Sequence, residues 1–291
     1  MQILEGKKIA ARKLPKLAIR IRALPSPPGL AIITSNEDEA SKIYVQAKIK
    51  EARKVGIKTF LFVLPKKAAR FKLINLIKEL NAKKECQGII LQLPLPSWAQ
   101  GWEKELISLL DPRKDVDGLH PLNLGHLFAL RRQEELNSPT LLLPPTSRAV
   151  LTLLAQAQAL IAGKKAVVIG RSLLAGKPIA QLLLLHNLTV TQCHSQTVDL
   201  AEELRRADVV VSAVGKAGLV QAALLKRGAV VIDVGISRDQ KGSLRGDLFL
   251  GEEGKNLRAF SPVPGGVGPL TVYYLLENVY RCYLLQNKID N

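Results

Sequence analysis

The chain has 291 residues, of which 47% are hydrophobic and 23% are charged, a composition typical of ordinary soluble enzymes. It contains no apolar run of the roughly 18 residues that a membrane-spanning helix requires, so we expect no membrane partner. Residues 1–5 lack a basic region followed by a long apolar stretch, and no secretory signal is expected. The length favours two domains.

The net charge of +17 is unevenly distributed, because residues 1–72 hold 17 Lys and Arg against 5 Asp and Glu. A basic surface attracts nucleic acids and polyanionic small molecules alike, but such lysines most often form a solvated helix face. The sequence has no zinc-finger spacing, aromatic-rich RNA-binding strand or basic heptad region. We therefore expect no nucleic-acid partner.

The cysteines of the chain are isolated from one another, at Cys86, Cys193 and Cys282. Their odd number and the absence of Cys-x-x-Cys spacing indicate a reducing compartment and argue against a structural metal. We expect a cytoplasmic protein without a metal site.

Strand-like and helical segments alternate in the first part of the chain. The pattern predicts a strand at residues 30–34, a helix at 40–55, a strand at 59–64, a helix at 73–81 and a strand at 88–93. Such alternation predicts parallel strands joined by crossover helices, and the uninterrupted apolar strands predict a sheet that is buried on both faces. The fold class is therefore α/β.

Several polar side chains in this first part are placed where they could contact one ligand. Tyr44 and Lys48 are four residues apart, on one face of the predicted helix. Gln92 lies at the end of a predicted buried strand, and open α/β sheets bind ligands outside the carboxyl ends of their strands. Asp117 follows in a loop rich in Pro and Gly. Simpler interpretations exist, because a Lys in a Lys-rich helix is usually solvated and an Asp before Gly usually forms a turn.

A second α/β unit begins with the apolar strand at residues 164–170. It continues with a helix at 179–185 and with strands at 188–192, 208–213 and 229–234. The polar segment 131–145, which contains prolines, is the predicted boundary between the two units.

The loop after the first strand of this second unit is a modified dinucleotide-binding fingerprint. The three glycines of the usual fingerprint provide a tight turn, a close approach to the diphosphate and tight helix packing. Gly170 matches the first glycine, but Ser172 and Ala175 occupy the other two positions. We therefore expect a bound diphosphate to lie farther from the following helix than usual.

The end of the next strand indicates which dinucleotide is bound. NAD-specific proteins commonly place Asp or Glu about twenty residues after the first glycine, where it binds the ribose diol. Residues 193–197 contain no carboxylate, Ser195 can donate to a phosphate, and Arg171 supplies a nearby cation. This pattern favours NADP. The alternatives are that Arg171 is a charge on a surface loop and that His194 is a strand-end residue whose hydrogen bonds are satisfied within the protein.

Residues 261–271, Ser-Pro-Val-Pro-Gly-Gly-Val-Gly-Pro-Leu-Thr, combine glycines and prolines directly before an apolar helix. Glycine lets the main chain approach a planar ligand, and Pro269 suits the first turn of the helix. Pro264, Gly265 and Gly266 are therefore candidate ligand-binding residues. The alternative is an elaborate start of a helix without a ligand.

Five ordered motifs make the chain resemble the bifunctional methylenetetrahydrofolate dehydrogenase and methenyltetrahydrofolate cyclohydrolase family over essentially its whole length. The family's Tyr-x-x-x-Lys matches Tyr44 and Lys48, and its Gln-Leu-Pro-Leu-Pro matches residues 92–96. Its Lys-Asp-Val-Asp-Gly matches 114–118, its Gly-Arg-Ser matches 170–172, and its Pro-Val-Pro-Gly-Gly-Val-Gly-Pro matches 262–269. Chance agreement at all of these motifs is negligible.

The resemblance implies oxidation of 5,10-methylenetetrahydrofolate to the methenyl form with hydride transfer to NADP, then hydrolysis to 10-formyltetrahydrofolate. It implies a catalytic group of Lys48, Tyr44 and Gln92, in which Lys48 serves the hydrolytic step, Gln92 orients Lys48, and Tyr44 packs against the folate. Asp117 would accept hydrogen bonds from the pterin ring, and the loop at 264–266 would also contact the substrate.

The resemblance also implies the domain organisation and the cofactor site. Residues 1–122 and 268–291 would form a discontinuous folate-binding catalytic domain, and 140–267 a Rossmann-like NADP-binding domain with a parallel sheet, with a cleft between the two. The implied cofactor-binding residues are Gly170, Arg171, Ser172, Ser195, Gly215, Ile236 and Thr271. We further expect a homodimer that serves one-carbon metabolism and purine biosynthesis.

The chain departs from the family's pattern mainly around the cofactor, at Pro145, Ser147, Ala175, Ala217 and Phe249. Two alternatives to the bifunctional enzyme therefore stay open. One is a member of the same family with one activity weakened, and the other is a non-enzymatic protein on the same fold that binds NADP or nucleic acid.

Overall fold

In the computed structural model of this protein, the described residues are 1–35, 39–65, 67, 69–239 and 242–287. The chain divides into two compact units. Unit 1 comprises Met1–Ala11, Leu127–Leu136 and Pro144–Tyr274. Unit 2 comprises Arg12–His126, Asn137–Leu143 and Leu275–Asn291. The predicted two-domain α/β fold class is confirmed.

Strands and helices alternate along most of the chain. The strands are β1 (Gln2–Ile3), β2 (Gly29–Ser35), β3 (Lys58–Leu64), β4 (Gly88–Leu91), β5 (Lys165–Ile169), β6 (Thr189–Cys193), β7 (Val209–Ser212), β8 (Val220–Gln221), β9 (Val230–Asp233), β10 (Ser237–Arg238), β11 (Leu244–Arg245), β12 (Leu248–Phe249) and β13 (Ala259–Phe260). The α-helices are α1 (Gly6–Arg22), α2 (Glu39–Val55), α3 (Arg70–Ala82), α4 (Glu103–Ser108), α5 (Pro121–Ala129), α6 (Pro145–Gln156), α7 (Gly176–Leu185), α8 (Leu200–Arg206) and α9 (Val267–Asn287). Short 3-10 helices lie at Ser97–Ala99, Pro112–Lys114, Gln133–Asn137, Ala222–Leu224 and Glu252–Asn256.

The main sheet of unit 1 has its strands in the order β1-β13-β9-β7-β5-β6, with every neighbouring pair parallel. All residues of β7 and β9 are buried, as expected at the centre of a sheet covered on both faces. From β5 the chain goes first to β6 on one side and then to β7 on the other. The strand order therefore reverses beside β5, and doubly wound sheets bind their ligands at such a switch point.

The sheet of unit 2 has the parallel order β3-β2-β4. Every residue of β2 and β4 is buried, but β3 lies at the edge and leaves Leu61 and Val63 43% and 45% exposed. The prediction of a sheet buried on both faces is therefore wrong for β3. The reason is that Phe60 and Phe62 pack on the core formed with α3 and α4, whereas Leu61 and Val63 alternate to the opposite face.

Several elements have weak sequence signals and were not predicted, among them α1, α6, β1 and β13. Helix α1 contains Pro15, and α6 begins with Pro145 inside the segment expected to form the domain boundary. The short strand β1 pairs in parallel with β13, so residues 1–11 belong to unit 1. Unit 1 thus includes Met1–Ala11 and continues to Tyr274, and the expected functional domains, 1–122 with 268–291 and 140–267, stay a prediction.

The cysteines of the chain are buried free thiols. Cys86, Cys193 and Cys282 are buried and unbridged, and burial raises the pKa of each thiol, which keeps it protonated.

Within the described residues, none of the helices combines the length and apolar character that crossing a membrane requires.

We predict opposite stability changes for two glycine substitutions in unit 2. A Cβ at Gly29 would lie 1.9 Å from the carbonyl oxygen of Glu85, whereas the position at Gly125, inside α5, has open space around it among the described residues. Gly29→Ala should therefore lower the free energy of unfolding by about 1 to 3 kcal/mol. Gly125→Ala should raise it by up to about 1 kcal/mol, because Ala favours helix. Urea unfolding of both variants measures this, and equal effects would contradict the packing of Gly29.

Candidate active site and cofactor loops

The side chain of Lys48 lies at the centre of the polar group in unit 2. It is 4% exposed, and its Nζ donates a hydrogen bond of 2.9 Å to Oε1 of Gln92. The same Nζ lies 4.6 Å from the ring centroid of Tyr44, one turn earlier on α2. The helix period thus brings Tyr44 and Lys48 together as the sequence predicts, and Lys48 is not a solvated helix lysine.

Backbone carbonyls near the end of β4 hold both the main chain and the side-chain amide of Gln92 in one orientation. The strand was expected to extend to residue 93, but β4 ends at Leu91, and the backbone N–H of Gln92 donates to the carbonyl of Ile33 over 2.8 Å. The amide Nε2 of Gln92 donates to the carbonyl of Leu93 at 2.8 Å. Because that bond fixes the nitrogen, Oε1 is the atom that faces Lys48.

Burial and charge together shift the proton equilibria of this group. Burial lowers the pKa of Lys48, and attraction to the Asp117 carboxylate partly opposes the shift. Burial raises the pKa of Asp117, and Lys48 partly opposes that shift in turn. The pKa of Tyr44 is also raised, first by burial and then by the charge of Asp117. A lysine in this environment exchanges its proton more readily near neutral pH than a solvated lysine does.

The loop that carries Asp117 contains a second aspartate with a different role. Asp115 is 1% exposed, and its Oδ2 accepts hydrogen bonds from the backbone N–H of His120 at 2.7 Å and from Nδ2 of Asn123 at 2.8 Å. Burial raises the pKa of Asp115 to about 6. Asp115 therefore performs the turn-forming function that was the simpler interpretation of Asp117.

Two residues that sequence reasoning missed also brace this loop. Lys114 is buried and its Nζ donates to the carbonyls of Leu80 and Lys83, each at 2.9 Å, at the end of α3. Asn278 on α9 donates through Nδ2 to the carbonyl of Val116 at 2.8 Å. Asn278 follows Glu277 on the last helix, and its partner 162 residues away could not be deduced from the sequence.

In unit 1, the predicted cofactor residues follow the carboxyl ends of adjacent strands. Gly170 follows β5 with a φ of +114°, and a Cβ there would lie 2.7 Å from the carbonyl oxygen of Ala213, which follows β7. A Cβ at Gly176, the first residue of α7, would lie 2.1 Å from the carbonyl oxygen of Gly170. The helix-packing function of the third fingerprint glycine thus belongs to Gly176, one position after Ala175.

Residues 171–174 of this loop are exposed on unit 1, as is Ser195 after the next strand. Ser172 Oγ accepts from the N–H of Ala175 at 3.2 Å, which leaves its own hydroxyl hydrogen for a ligand. Arg171 and Ser195 are exposed and follow β5 and β6, which end in register. His194 Nδ1 accepts from the N–H of Gln196 at 3.2 Å, in agreement with the strand-end interpretation of His194.

Gly215 and Ile236 come together although 21 residues separate their numbers in the chain. Gly215 has a φ of +76°, and a Cβ there would lie 3.3 Å from the carbonyl oxygen of Ile236. The Ile236 side chain is 56% exposed. Thr271 lies in the first turns of α9, where its Oγ1 donates to the carbonyl of Val267 at 3.2 Å.

The glycine loop before α9 combines packing with accessible backbone. A Cβ at Gly266 would lie 2.6 Å from the carbonyl oxygen of Pro262, and a Cβ at Gly6 would lie 1.9 Å from the carbonyl oxygen of Gly266. Gly265 has a φ of +105° and open space around its Cβ position among the described residues. Pro264 is exposed beside it. Gly266 therefore serves the start of the helix, whereas Gly265 presents backbone that a ligand can approach.

Comparison with known proteins identifies the family. Residues 4–117 match the catalytic domain of tetrahydrofolate dehydrogenase/cyclohydrolase, and residues 144–287 match its NAD(P)-binding domain. The chain belongs to the tetrahydrofolate dehydrogenase/cyclohydrolase family. The predictions of family, enzyme class and nicotinamide cofactor are thereby confirmed.

Relatives of known sequence and structure agree over the full length of the chain. The bifunctional protein FolD of Lactococcus lactis subsp. cremoris (strain MG1363) is 39% identical over 97% of this chain and 96% of its own. The crystal structure of the bifunctional FolD enzyme from Campylobacter jejuni has a TM-score of 0.91 and 35% identity, covering 98% and 99% of the two chains. The Trypanosoma brucei enzyme, complexed with NADP cofactor and inhibitor, has a TM-score of 0.90 and 35% identity, covering 98% of each chain.

The backbone of unit 1 fits the dinucleotide that this family uses. A Cβ at Gly170 or at Gly176 would overlap neighbouring backbone, so the main chain between β5 and α7 is tightly turned. The exposed part of this loop lies at the start of a helix, where backbone N–H groups can bind a phosphate. Among the described residues, no group of three or more His, Cys, Asp or Glu side chains could hold a metal ion.

The departures from the family pattern fall at structurally different positions. Pro145 occupies the first turn of α6, which suits proline, and Ser147 and Ala175 are buried. Ala217 is exposed, and Phe249 is 61% exposed on β12. These five substitutions leave the Lys48 and Gln92 pair unchanged.

Proposed function

We propose that this chain oxidises 5,10-methylenetetrahydrofolate with NADP and hydrolyses the methenyl product, with Tyr44, Lys48, Gln92 and Asp117 as the folate site. The observation that carries this assignment is the 2.9 Å hydrogen bond from a buried Lys48 to an oriented Gln92. A buried lysine whose pKa is lowered is suited to proton transfer, and the group includes an aromatic ring and a carboxylate for a pterin. Reduction of NADP on addition of methylenetetrahydrofolate to the purified protein tests the first reaction directly.

The residues of unit 2 have distinct functions in the two reactions. NADP, when bound, accepts the hydride, so oxidation requires mainly that the chain align its substrate. Tyr44 packs against the folate, and Asp117 accepts hydrogen bonds from pterin N–H groups. Both interactions hold the substrate carbon in place without taking part in a proton transfer.

Hydrolysis requires protons to move, and Lys48 is the group that moves them. Water adds to the electrophilic methenyl carbon and loses one proton, which leaves a hydroxyl group on that carbon. As the bond from the carbon to N5 breaks, the hydroxyl loses its remaining proton and becomes the formyl carbonyl on N10, while N5 gains a proton. Two protons leave the water and one is taken up at N5, so one proton is released in the overall reaction. Lys48 carries a proton between these atoms, and Gln92 holds its Nζ in position.

The cofactor loops of unit 1 favour NADP through two exposed side chains. Arg171 and Ser195 are proposed to bind the 2′-phosphate, supported by their position after adjacent strands that end in register. Gly170, Ser172, Gly215, Ile236 and Thr271 are proposed to contact the rest of the cofactor, and the loop at 264–266 the substrate.

The cellular context of the enzyme stays a prediction. The expected homodimer, the cytoplasmic location and the absence of a nucleic-acid partner rest on the sequence arguments alone, as does the contribution to purine biosynthesis. The domain assignment, with folate bound by residues 1–122 and 268–291 and NADP by 140–267, is likewise proposed.

Replacing Lys48 by Met should slow hydrolysis of methenyltetrahydrofolate by about a hundredfold or more. Met retains much of the aliphatic side chain of Lys but has no titratable group that can transfer a proton. Oxidation of the methylene compound should fall less, since it needs alignment rather than a proton at this site. Lys50→Met on the exposed face of α2 is the matched control and should leave both rates unchanged. Separate assays of the two reactions also reveal whether one activity of the parent is weak. Hydrolysis at the parent rate in Lys48→Met would reject the assignment.

Replacing Arg171 by Ala should weaken NADP binding roughly ten- to a hundredfold and NAD binding little, because only NADP carries the phosphate that Arg171 is proposed to bind. Arg205→Ala on α8 of the same unit removes a comparable exposed charge and serves as the control. Titration with both cofactors measures the ratio of affinities. Equal weakening of NADP and NAD would remove the basis for this selectivity.

The two aspartates of the 114–118 loop should respond differently to substitution. Asp117→Asn should weaken folate binding by about ten- to a hundredfold with little change in melting temperature, because a charge-assisted hydrogen bond to the pterin is lost. Asp115→Ala should lower the melting temperature, because the N–H of His120 and the amide of Asn123 lose their acceptor. Folate titration and thermal unfolding test both. A stability loss in Asp117→Asn without a folate-specific effect would make Asp117 a turn residue.

A further inference from the structure

A buried carboxylate holds the backbone on both sides of Gly215. Asp247, located between β11 and β12, is 0% exposed. Its Oδ2 accepts from the backbone N–H of Val214 at 2.9 Å, and its Oδ1 accepts from that of Lys216 at 2.7 Å. The hydroxyl of Ser212, the last residue of β7, also donates to Oδ2 at 2.7 Å. One side chain thus determines the path of the three residues that contain Gly215.

A second buried carboxylate holds the neighbouring loop in the same way. Asp233 ends β9, is 3% exposed, and accepts at Oδ1 from the N–H of Gly235, directly before Ile236, at 3.0 Å. The same Oδ1 accepts from the N–H of Asp247 at 3.0 Å, so the two aspartates are linked. The backbone N–H of Asp233 donates to Oγ of Ser261 at 2.8 Å, and Ser261 directly precedes the proline and glycine loop.

The two carboxylates occupy space that is free only because two neighbouring residues are glycines without a Cβ. A Cβ at Gly235 would lie 2.0 Å from Oδ1 of Asp247, and a Cβ at Gly246 would lie 2.0 Å from Oδ2 of Asp233. Each carboxylate therefore lies against backbone that only glycine allows. Close packing of this kind leaves little freedom for the attached loops.

The chemistry of the pair is unusual for a purely structural core. Buried carboxylates are costly unless they are well hydrogen-bonded, and a core of the same volume is more simply filled with apolar side chains. Burial raises the pKa of Asp233 to about 6, and the charge of Asp247 adds to the shift. The donors to the pair are mainly backbone N–H groups of the two loops, so what the carboxylates provide is loop conformation.

We propose that Asp233 and Asp247 are positioning residues for the cofactor, because they hold the segments that carry Gly215 and Ile236 in the conformation that binds NADP. This inference rests on the proposed assignment of Gly215 and Ile236 to the cofactor site. Neither aspartate touches the cofactor in this proposal. Their effect passes through the backbone of residues 214–216 and 235–236.

The experiment compares Asp247→Asn with Leu204→Ala, a core substitution on α8 of the same unit. In Asp247→Asn one acceptor oxygen becomes a donor, so a bond to Val214 or Lys216 is lost. We expect the dissociation constant for NADP to rise about tenfold or more, and the amide hydrogens of Val214 and Lys216 to exchange faster. Leu204→Ala should lower the melting temperature without either change, measured well below its own transition. Folate affinity should stay at the parent value in both.

Two further variants keep the outcome decisive. Ser212→Ala removes only the hydroxyl donor and should weaken NADP binding in the same direction by a smaller factor, even if Asp247→Asn folds poorly. If the amides of Val214 and Lys216 exchange faster but NADP affinity stays within twofold of the parent, the positioning role is wrong. Ile236→Ala tests the underlying assignment, because unchanged NADP affinity there removes this loop from the cofactor site whatever Asp247 does to the backbone.

Discussion

The burial of one ammonium group is the constraint on which the proposed catalytic chemistry of this protein depends. Lys48 is almost fully enclosed, and an enclosed cation is stable only where its environment supplies acceptors or opposite charge. Gln92 supplies the acceptor and Asp117 supplies the charge. The same burial lowers the pKa of Lys48, so the environment that positions the lysine also makes its proton transferable.

The parallel sheets explain why the functional residues gather where they do. Gln92 follows β4, and the proposed cofactor loops of unit 1 follow β5, β6, β7 and β9. Carboxyl ends of parallel strands face the same edge, so polar loops collect there while the strands stay buried and apolar. Buried side chains such as Asp115 and Asp247 then hold these loops through backbone N–H groups, which gives exposed segments a defined conformation.

Contacts that depend on local spacing could be predicted, and contacts with distant partners could not. The proximity of Tyr44 and Lys48 was predicted because helix geometry places residues four apart on one face. Gly176 was missed because the fingerprint fixes its third glycine one position earlier, although both lie in the same loop. Asn278 was missed because it contacts Val116 from the last helix, and a polar residue on that helix does not indicate its partner.

The sequence by itself determined the α/β class and the family and indicated the residues of the proposed folate and cofactor sites, because strand and helix periodicity and ordered motifs are local properties of the chain. Tertiary structure alone decided that Lys48 is buried rather than solvated, that Asp115 accepts the hydrogen bonds that hold the 115–123 loop, and that β1 joins unit 1. Burial, hydrogen-bond partners and strand pairing depend on residues distant in the chain, so they become defined only when the chain has folded.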